Sequence, residues 1–419
     1  MLDPLVMPTL APSRSVRAPS DPDGLRDRPL TVLLVHNVYQ QPGGEDGVFE
    51  REGALLEERG HRVLRYELHN DAVEGMGRLA LAARTVWSRE AYAEVRRIVE
   101  AEGVDVVHVH NTLPLASPSV FHAAHAGGAA TVHTLHNFRM VCPGNLLLRA
   151  GRICHDCVGK AFAAPAVRHK CYRGSAAATA AVATTVAVHR AAGTWDRAVD
   201  RYVALSQFAR GVLAEGGLPL HRIAVKHNAP AGRPIAGPGG EHVLFAGRLA
   251  TGKGLSVLLD AWALDPALPT LKVAGDGELA GLVQAAAEAD GRIEWLGWLA
   301  PDEMARTMAT AGLLVAPSMW YEGWPLVAVE AMGFGTPVVA TDHGAFSEMI
   351  EDNVTGRLFP RGDAAALAAA VRDLTGDPAR LDAMREGTRA RFAERYSRDV
   401  NYRQLRAIYD DAIAEFAAA

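Results

Sequence analysis

Two glutamates eight residues apart stand in the most chemically suggestive stretch of the chain. Residues 317–332 read PSMWYEGWPLVAVEAM, with Glu322 followed by Gly323, then Pro325, Leu326, Val327 and Glu330. The apolar run 312–316 reads as a strand, and Pro325 stands where a helix would begin. Glu322 is therefore expected on a loop outside the carboxyl end of a strand, projecting into a cleft. Glu330 is expected just over one turn into the helix. The N–H groups of Leu326 and Val327 would open from the helix N-terminus, where phosphate oxygens are readily held. Carboxylates beside such a site suit hydroxyl groups of the kind that sugars and ribose offer. The competing reading makes Glu322 a solvated loop residue and Glu330 a helix-surface acid, and it leaves the whole Glu-Gly-x-Pro-Leu-x-x-x-Glu-Ala-Met string to chance.

A cationic counterpart lies upstream. Phe245-Ala246-Gly247-Arg248-Leu249 leaves a strand, and Lys253-Gly254 opens the next helix. Arg offers a rigid fork of donors and Lys a compact point charge, a pair suited to a diphosphate. Either alone is an ordinary surface turn. In the other half of the chain, Gly43-Gly44 follows the first strand, and His136 closes the strand 130–135, where a histidine could lie near a reacting centre. His108 and His110 share one strand face because strand side chains alternate. They read as structural, with His110-Asn111 a cleft candidate and His133 a core residue.

All four cysteines fall in one stretch, as Cys142, Cys154, Cys157 and Cys171, spaced C-x11-C-x2-C-x13-C. One C-x-x-C knuckle with two flanking cysteines can supply a tetrahedral thiolate set for structural Zn²⁺. Reduced unligated thiols and an iron–sulfur cluster are the open alternatives.

Strands and helices must position these groups. Residues 31–36 (TVLLVH), 63–66, 105–110, 130–135 and 202–205 read as strands, with helical patterns over 48–60 and 176–192 and Ser206 as a helix cap. The amphipathic stretch 78–99 reads as a packed helix, with a membrane-surface role as the alternative. Residues 227–240 (HNAPAGRPIAGPGG) read as a linker. Strands are then expected over 242–246, 270–274, 293–296, 312–316 and 337–340, with helices over 254–263 and 279–289. A last helical pattern, 400–416, could pack back on the first half. The expected organisation is a disordered leader 1–29, an α/β domain 30–226 with a cysteine-containing insertion 138–173, the linker 227–240, a second α/β domain 241–397, and a helix 398–419 that crosses back.

The 419 residues are 49% hydrophobic and 22% charged, with net charge −5, ordinary for a globular protein and adverse to a nucleic-acid partner. No stretch approaches the ~20 apolar residues of a bilayer-spanning helix. Four cysteines exclude a disulfide scaffold, and the Pro-, Ser- and Arg-rich start has no apolar core of an export signal. A cytoplasmic protein is expected. Up to Pro230 there are 26 Lys and Arg against 22 Asp and Glu, and beyond it 17 against 26, so the halves carry +4 and −9. Unequal halves suggest different ligands, one of them anionic. Between 139 and 173 stand seven basic residues and one acid, Asp156. That patch reads as solvated surface, as a hold on a phosphorylated acceptor, or as a contact with anionic lipid heads at the inner face of a membrane.

Taken together, these motifs resemble the retaining glycosyltransferases of family 4, over residues from about 30 to 409. The resemblance implies the GT-B fold, two Rossmann-like domains facing across a cleft, with the C-terminal domain holding a nucleotide-diphosphate sugar. Glu322 and Glu330 match that family's E-x7-E pair and are implied to contact the donor sugar and the ribose. Arg248 and Lys253 match its diphosphate-binding pair, Gly43-Gly44 its glycine loop, and Thr134-Leu135-His136-Asn137 a strand-end motif whose histidine lies near the donor sugar. Asn137 stands where many relatives carry Asp, and Asn228-Ala229 where Asn-Gly is commoner. Thr341-Asp342-His343-Gly344 and Glu348 also fit the family, with a structural role. The implied activity is transfer of a sugar, with retention, to a glycolipid, polysaccharide or other sugar- or lipid-linked acceptor. No catalytic metal is expected, because two cations and a helix N-terminus can stabilise the leaving diphosphate. The rival readings are a nucleotide-sugar epimerase on the same fold and a catalytically silent, metal-pinned interaction module.

Overall fold

The computed structural model describes residues 28–40, 43–230, 234 and 236–419. Fourteen strands lie among them: β1 (Thr31–Val38), β2 (Arg62–His69), β3 (Val106–Val109), β4 (Ala130–Leu135), β5 (Leu148–Arg149), β6 (Arg152–Ile153), β7 (Arg201–Ala204), β8 (Ile223–Val225), β9 (Val243–Ala246), β10 (Leu271–Ala274), β11 (Ile293–Gly297), β12 (Leu313–Ala316), β13 (Val338–Thr341) and β14 (Gly356–Phe359). Two six-stranded sheets form, in the orders β2-β1-β3-β4-β7-β8 and β11-β10-β9-β12-β13-β14, and β5-β6 is a separate antiparallel hairpin. Neighbours in both large sheets run parallel, for example Val32 opposite Val106 and Leu314 opposite Leu244. Parallel strands need crossovers that cover both faces with helices, and so the central strands read as unbroken apolar runs. The interior of β1, all of β3 and all of β4 are buried accordingly.

In each sheet the strand order reverses once, between β1 and β3 and between β9 and β12. Open α/β sheets bind ligands outside the carboxyl ends of the strands at that reversal. Gly43-Gly44 follow β1 and His110-Asn111 follow β3. Arg248 follows β9 and Glu322 follows β12. The topology thus brings the singled-out residues to two facing switch points.

The helix Arg398–Ala418 lies on the N-terminal sheet. Its Leu405, Ile408, Tyr409 and Ala412 pack with Leu34, Val106 and Val132 of β1, β3 and β4. Ser397 caps it by accepting the Val400 N–H, and Arg398 pairs with Glu58 at 3.0 Å. The preceding helix, Pro378–Arg395, stays with the C-terminal sheet through Leu381 and Met384.

Several elements differ from their sequence expectation. Residues 78–99 form two helices, Arg78–Val86 and Arg89–Glu102, because Ser88 starts the second by accepting the Ala91 N–H. Pro325 is the residue before the helix Leu326–Phe334 rather than its first residue. Edge strands β8 and β14 belong to the sheets although their short runs carry no clear pattern. Residues 1–27 of the expected leader lie outside the described residues, and so do 231–233 and 235 of the expected linker. Arg28 belongs to the folded part, since its guanidinium donates to Asp105 Oδ1 at 2.6 Å. No helix of the described residues is long and apolar enough to cross a membrane.

The crossing helix makes a direct prediction. Leu405 is fully buried against the opposite domain, so Leu405→Ala should lower unfolding free energy by about 2–5 kcal/mol. Urea denaturation of the variant checks this, and an unchanged midpoint would contradict the packing.

Candidate active site in the interdomain cleft

A cleft of about 560 Å³ runs between the two sheets. Gly43, Gly44, Glu45, His136, Asn137, Arg139 and Arg173 line it on one side, and Arg248, Glu322, Gly323, Trp324 and Leu326 on the other. Of the residues singled out in the sequence, Gly43, Gly44, His136, Arg248, Glu322, Gly323 and Leu326 therefore share one cavity. Lys253, Gly247, Pro325, Val327 and Glu330 are not among its lining.

The loop bearing Glu322 is held from both sides. Tyr321 packs on Phe208 with ring centroids 4.5 Å apart, and Trp324 stacks on His227 at 3.9 Å. A side-chain carbon added at Gly323 would sit 3.0 Å from the His136 carbonyl oxygen, so the two domains meet here at backbone distance. Lys253 reaches the site through a second close approach. Gly254 has φ +75° and its added carbon would lie 1.8 Å from the Pro317 carbonyl oxygen, a position only glycine fills. The turn before it carries Lys253 to Glu322, where Nζ donates to Oε1 at 2.8 Å.

Glu322 Oε1 also accepts from Ser318 Oγ at 2.8 Å and Trp320 Nε1 at 2.9 Å. Burial is the largest single influence on this carboxyl and pushes its pKa up. The Lys253 charge and the three donors together outweigh it and hold the group below its ordinary value. Glu322 is thus a fixed anion with one oxygen saturated, and Oε2 has no hydrogen bond among the described residues. Arg248 differs from Lys253: it is exposed in the cleft and has no ion-pair partner among the described residues. The first-turn N–H groups of Leu326 and Val327 lack intrahelical acceptors, as at any helix start. Glu330 lies one turn deeper on that helix, and its charge supports the Arg51 guanidinium of the facing helix Gly44–Glu58.

On the opposite wall His136 Nε2 and His110 Nδ1 share a proton at 3.0 Å, with the rings stacked at 5.2 Å. Burial, reinforced by neighbouring His and Lys226 charges, keeps both rings well below the ordinary histidine pKa, so both are neutral. His110 Nε2 stands 3.8 Å from Glu52 Oε1. That is too long for a hydrogen bond. His136 acts here as an uncharged hydrogen-bonding group.

Behind it, Lys226 is fully buried and donates to Glu52 Oε2 at 2.8 Å. His108 hydrogen-bonds with Tyr409 of the crossing helix at 2.8 Å and with Thr134 at 2.7 Å. Glu52, His108 and His110 bring three ligand atoms within 4.8 Å of one another. The ammonium of Lys226 already neutralises that carboxylate, which disfavours a metal cation in the same place.

One functional candidate went unread in the sequence. Glu45, directly after Gly43-Gly44, faces the cleft, and its Oε2 accepts from the Tyr39 hydroxyl at 3.0 Å. Burial lifts its pKa to about 7, against the lowering effect of Arg139. An acid following a glycine pair at a helix start was the available signal. Glu348, read as structural, accepts the N–H groups of Gln207 (3.0 Å) and Phe208 (3.2 Å), and so caps a helix of the N-terminal domain from the C-terminal one.

Residues 240–377 match the family model described as glycosyl transferases group 1. The phosphatidyl-myo-inositol mannosyltransferase of Mycobacterium leprae is 37% identical over 184 residues, 41% of this chain and 46% of that protein. Such matches span only 44–46% of the length of three of these relatives. The D-inositol 3-phosphate glycosyltransferase of Pseudarthrobacter chlorophenolicus is 30% identical over 302 residues, 69% of this chain and 67% of that protein. The chain belongs to the group 1 glycosyl transferases. Among solved structures, Anabaena HepE in complex with UDP-glucose superposes on this group 1 chain with a TM-score of 0.61 at 19% identity, covering 90% of this chain and 98% of that one. The architecture is GT-B, two Rossmann-like domains across a cleft.

Glu45 gives a pH prediction. A carboxyl whose folded pKa is raised contributes stability at low pH and loses it as pH rises through the folded value, here about 7. Glu45→Gln removes that loss. Raising pH from about 5 to 8 should therefore lower the melting temperature of the native chain more than that of the variant. Parallel melting curves would contradict the burial of this carboxyl.

Proposed function

We propose that the protein is a retaining glycosyltransferase that moves a sugar from a nucleotide-diphosphate donor to a sugar- or lipid-linked acceptor. The observation that carries the reading is the unpaired Arg248 beside the helix start at Leu326 and the anion Glu322, all at the switch point of the C-terminal sheet. A diphosphate bound there meets the Arg248 fork and the N–H groups of Leu326 and Val327. Lys253 contributes positive charge from behind Glu322, whose open Oε2 accepts from donor-sugar hydroxyls. Glu330 is assigned to the ribose. The inositol-directed glycosyltransferases among the relatives and the UDP-glucose bound by HepE support the donor and acceptor classes.

In the reaction the bond between the anomeric carbon and the phosphate oxygen breaks, and the acceptor oxygen bonds to that carbon from the same face. The acceptor proton passes to the departing phosphate oxygen. Charge develops on the diphosphate as an oxocarbenium-like sugar forms, and the fixed donors stabilise it at the moment of departure. Neutral His136 hydrogen-bonds to the sugar, and the Gly43-Gly44 backbone approaches it closely. Arg139 and Arg173 on the N-terminal wall suit an anionic acceptor such as a phosphorylated headgroup, which would bring the enzyme to the inner face of a membrane.

Nucleotide release from UDP-, GDP- and ADP-sugars, with and without candidate acceptors, tests the reading. One donor should release nucleotide faster with acceptor, and Arg248→Ala should lower that turnover by about 10²–10³. Lys253→Ala should abolish transfer with circular dichroism unchanged. Full turnover in either variant would refute its role.

A further inference from the structure

The four cysteines take no part in the chemistry above, yet the fold gathers them. Cys142, Cys154, Cys157 and Cys171 all line one cavity of about 20 Å³, apart from the donor cleft. None is in a disulfide. The hairpin β5-β6 folds the chain back so that the Cys154 N–H donates to the Leu147 carbonyl at 2.8 Å. Its turn, Ala150-Gly151, has positive φ at both residues, +49° and +74°, which is the tight turn needed to return the knuckle to Cys142. At the other end the Cys171 N–H donates to the Ala166 carbonyl at 3.1 Å.

The backbone N–H groups of Gly144, Asn145 and Leu147 lie toward Cys142 Sγ, and that of Ala166 toward Cys157 Sγ. The Arg149 guanidinium lies beside Cys154 and Cys171 and pairs with Asp156 at 2.8 Å. A cation at that point offsets the double negative charge of a tetrathiolate around a divalent ion.

We propose that Cys142, Cys154, Cys157 and Cys171 bind one structural Zn²⁺ that pins the insertion to the N-terminal wall of the cleft. Size separates this from the alternative cofactor. A cavity of about 20 Å³ is near the space of one water, enough for a single ion and too small for an iron–sulfur cluster. Zn–S bonds of about 2.3 Å place tetrahedral sulfurs about 3.8 Å apart. No three of the four sulfurs already stand within 4.8 Å of one another, so they close on the ion by side-chain rotation within the cavity. Each thiol gives up its proton as its sulfur takes the metal, and no redox change occurs.

The location tells what the ion does. The segment carries Arg139, Asn145 and Arg173, all of which line the donor cleft, and His155 of the knuckle packs on Tyr321 with ring centroids 5.8 Å apart. Tyr321 adjoins Glu322. A cross-link among the four sulfurs therefore fixes both the acceptor-side arginines and one flank of the Glu322 loop.

The test is elemental analysis of the untagged full chain purified without chelator, followed by titration with a mercurial thiol reagent in the presence of a zinc-sensitive dye. The expected result is about one zinc per chain, released in step with modification of four thiols. The cobalt-reconstituted protein should show the visible bands of a tetrahedral thiolate site. Cys154→Ser and Cys157→Ser should each lower the metal content at least tenfold, and a chelator should lower the melting temperature of the native chain only. A folded native chain without zinc and with four freely reactive thiols would overturn the proposal. So would a metal content unchanged in both variants, which would locate the ion elsewhere, as at Glu52, His108 and His110.

Discussion

The cleft depends on one ion pair, Lys253 with Glu322. The ammonium and the carboxylate come from different turns of the C-terminal sheet, 69 residues apart in sequence, and they meet at 2.8 Å because Gly254 lets the backbone slide against the Pro317 carbonyl. Removing one partner of a fully buried pair costs about 3–5 kcal/mol. This pair is partly exposed, with Lys253 at 25% and Glu322 at 13% side-chain exposure, so the cost here is smaller. Its main effect is on charge. Glu322 stays ionised in a place where burial opposes its charge, and that fixed anion faces the same cavity as Arg248, which has no ion-pair partner among the described residues.

The facing wall is built on the opposite principle. Its histidine cluster is neutral: His136 and His110 share one proton, His108 bridges Tyr409 and Thr134, and behind them Glu52 and Lys226 neutralise each other. Arg139 and Arg173 line the same wall beside that neutral cluster, and a preorganised neutral cluster facing the charged Glu322 side suits a reaction in which negative charge builds on one side of the bond that breaks. The crossing helix couples the two, because Tyr409 reaches the histidines while the helix itself follows directly from the C-terminal domain.

Much of this arrangement is legible in the sequence. Strand β4 follows its apolar run residue for residue, and the string from Glu322 to Met332 announces a loop, a helix start and a cleft. Central parallel strands are readable because burial on both faces demands continuous Val, Leu and Ala. Two of the four edge strands are not: β8 has three residues, two of them half-buried, and β14 opens with a glycine. The packed stretch 78–99 conceals a break, since the apolar period continues across Ser88 while the backbone does not. Pairings over long sequence distances are invisible to any local pattern. Lys226 is fully buried and pairs with Glu52, 174 residues earlier in the chain. Lys253 reads as one of a diphosphate-binding pair and also pairs with Glu322, and Glu348 reads as a structural part of a motif and caps a helix of the other domain.

The central claim is that a nucleotide diphosphate sits at the switch point of the C-terminal sheet, between Arg248 and the start of the helix Leu326–Phe334. A crystal structure of the chain soaked with UDP or GDP tests it most directly. The account predicts diphosphate oxygens within hydrogen-bonding distance of the Arg248 guanidinium and of the Leu326 and Val327 N–H groups, with the ribose directed toward Glu330. A nucleotide seated against the histidine wall, with Arg248 left in solvent, would contradict it.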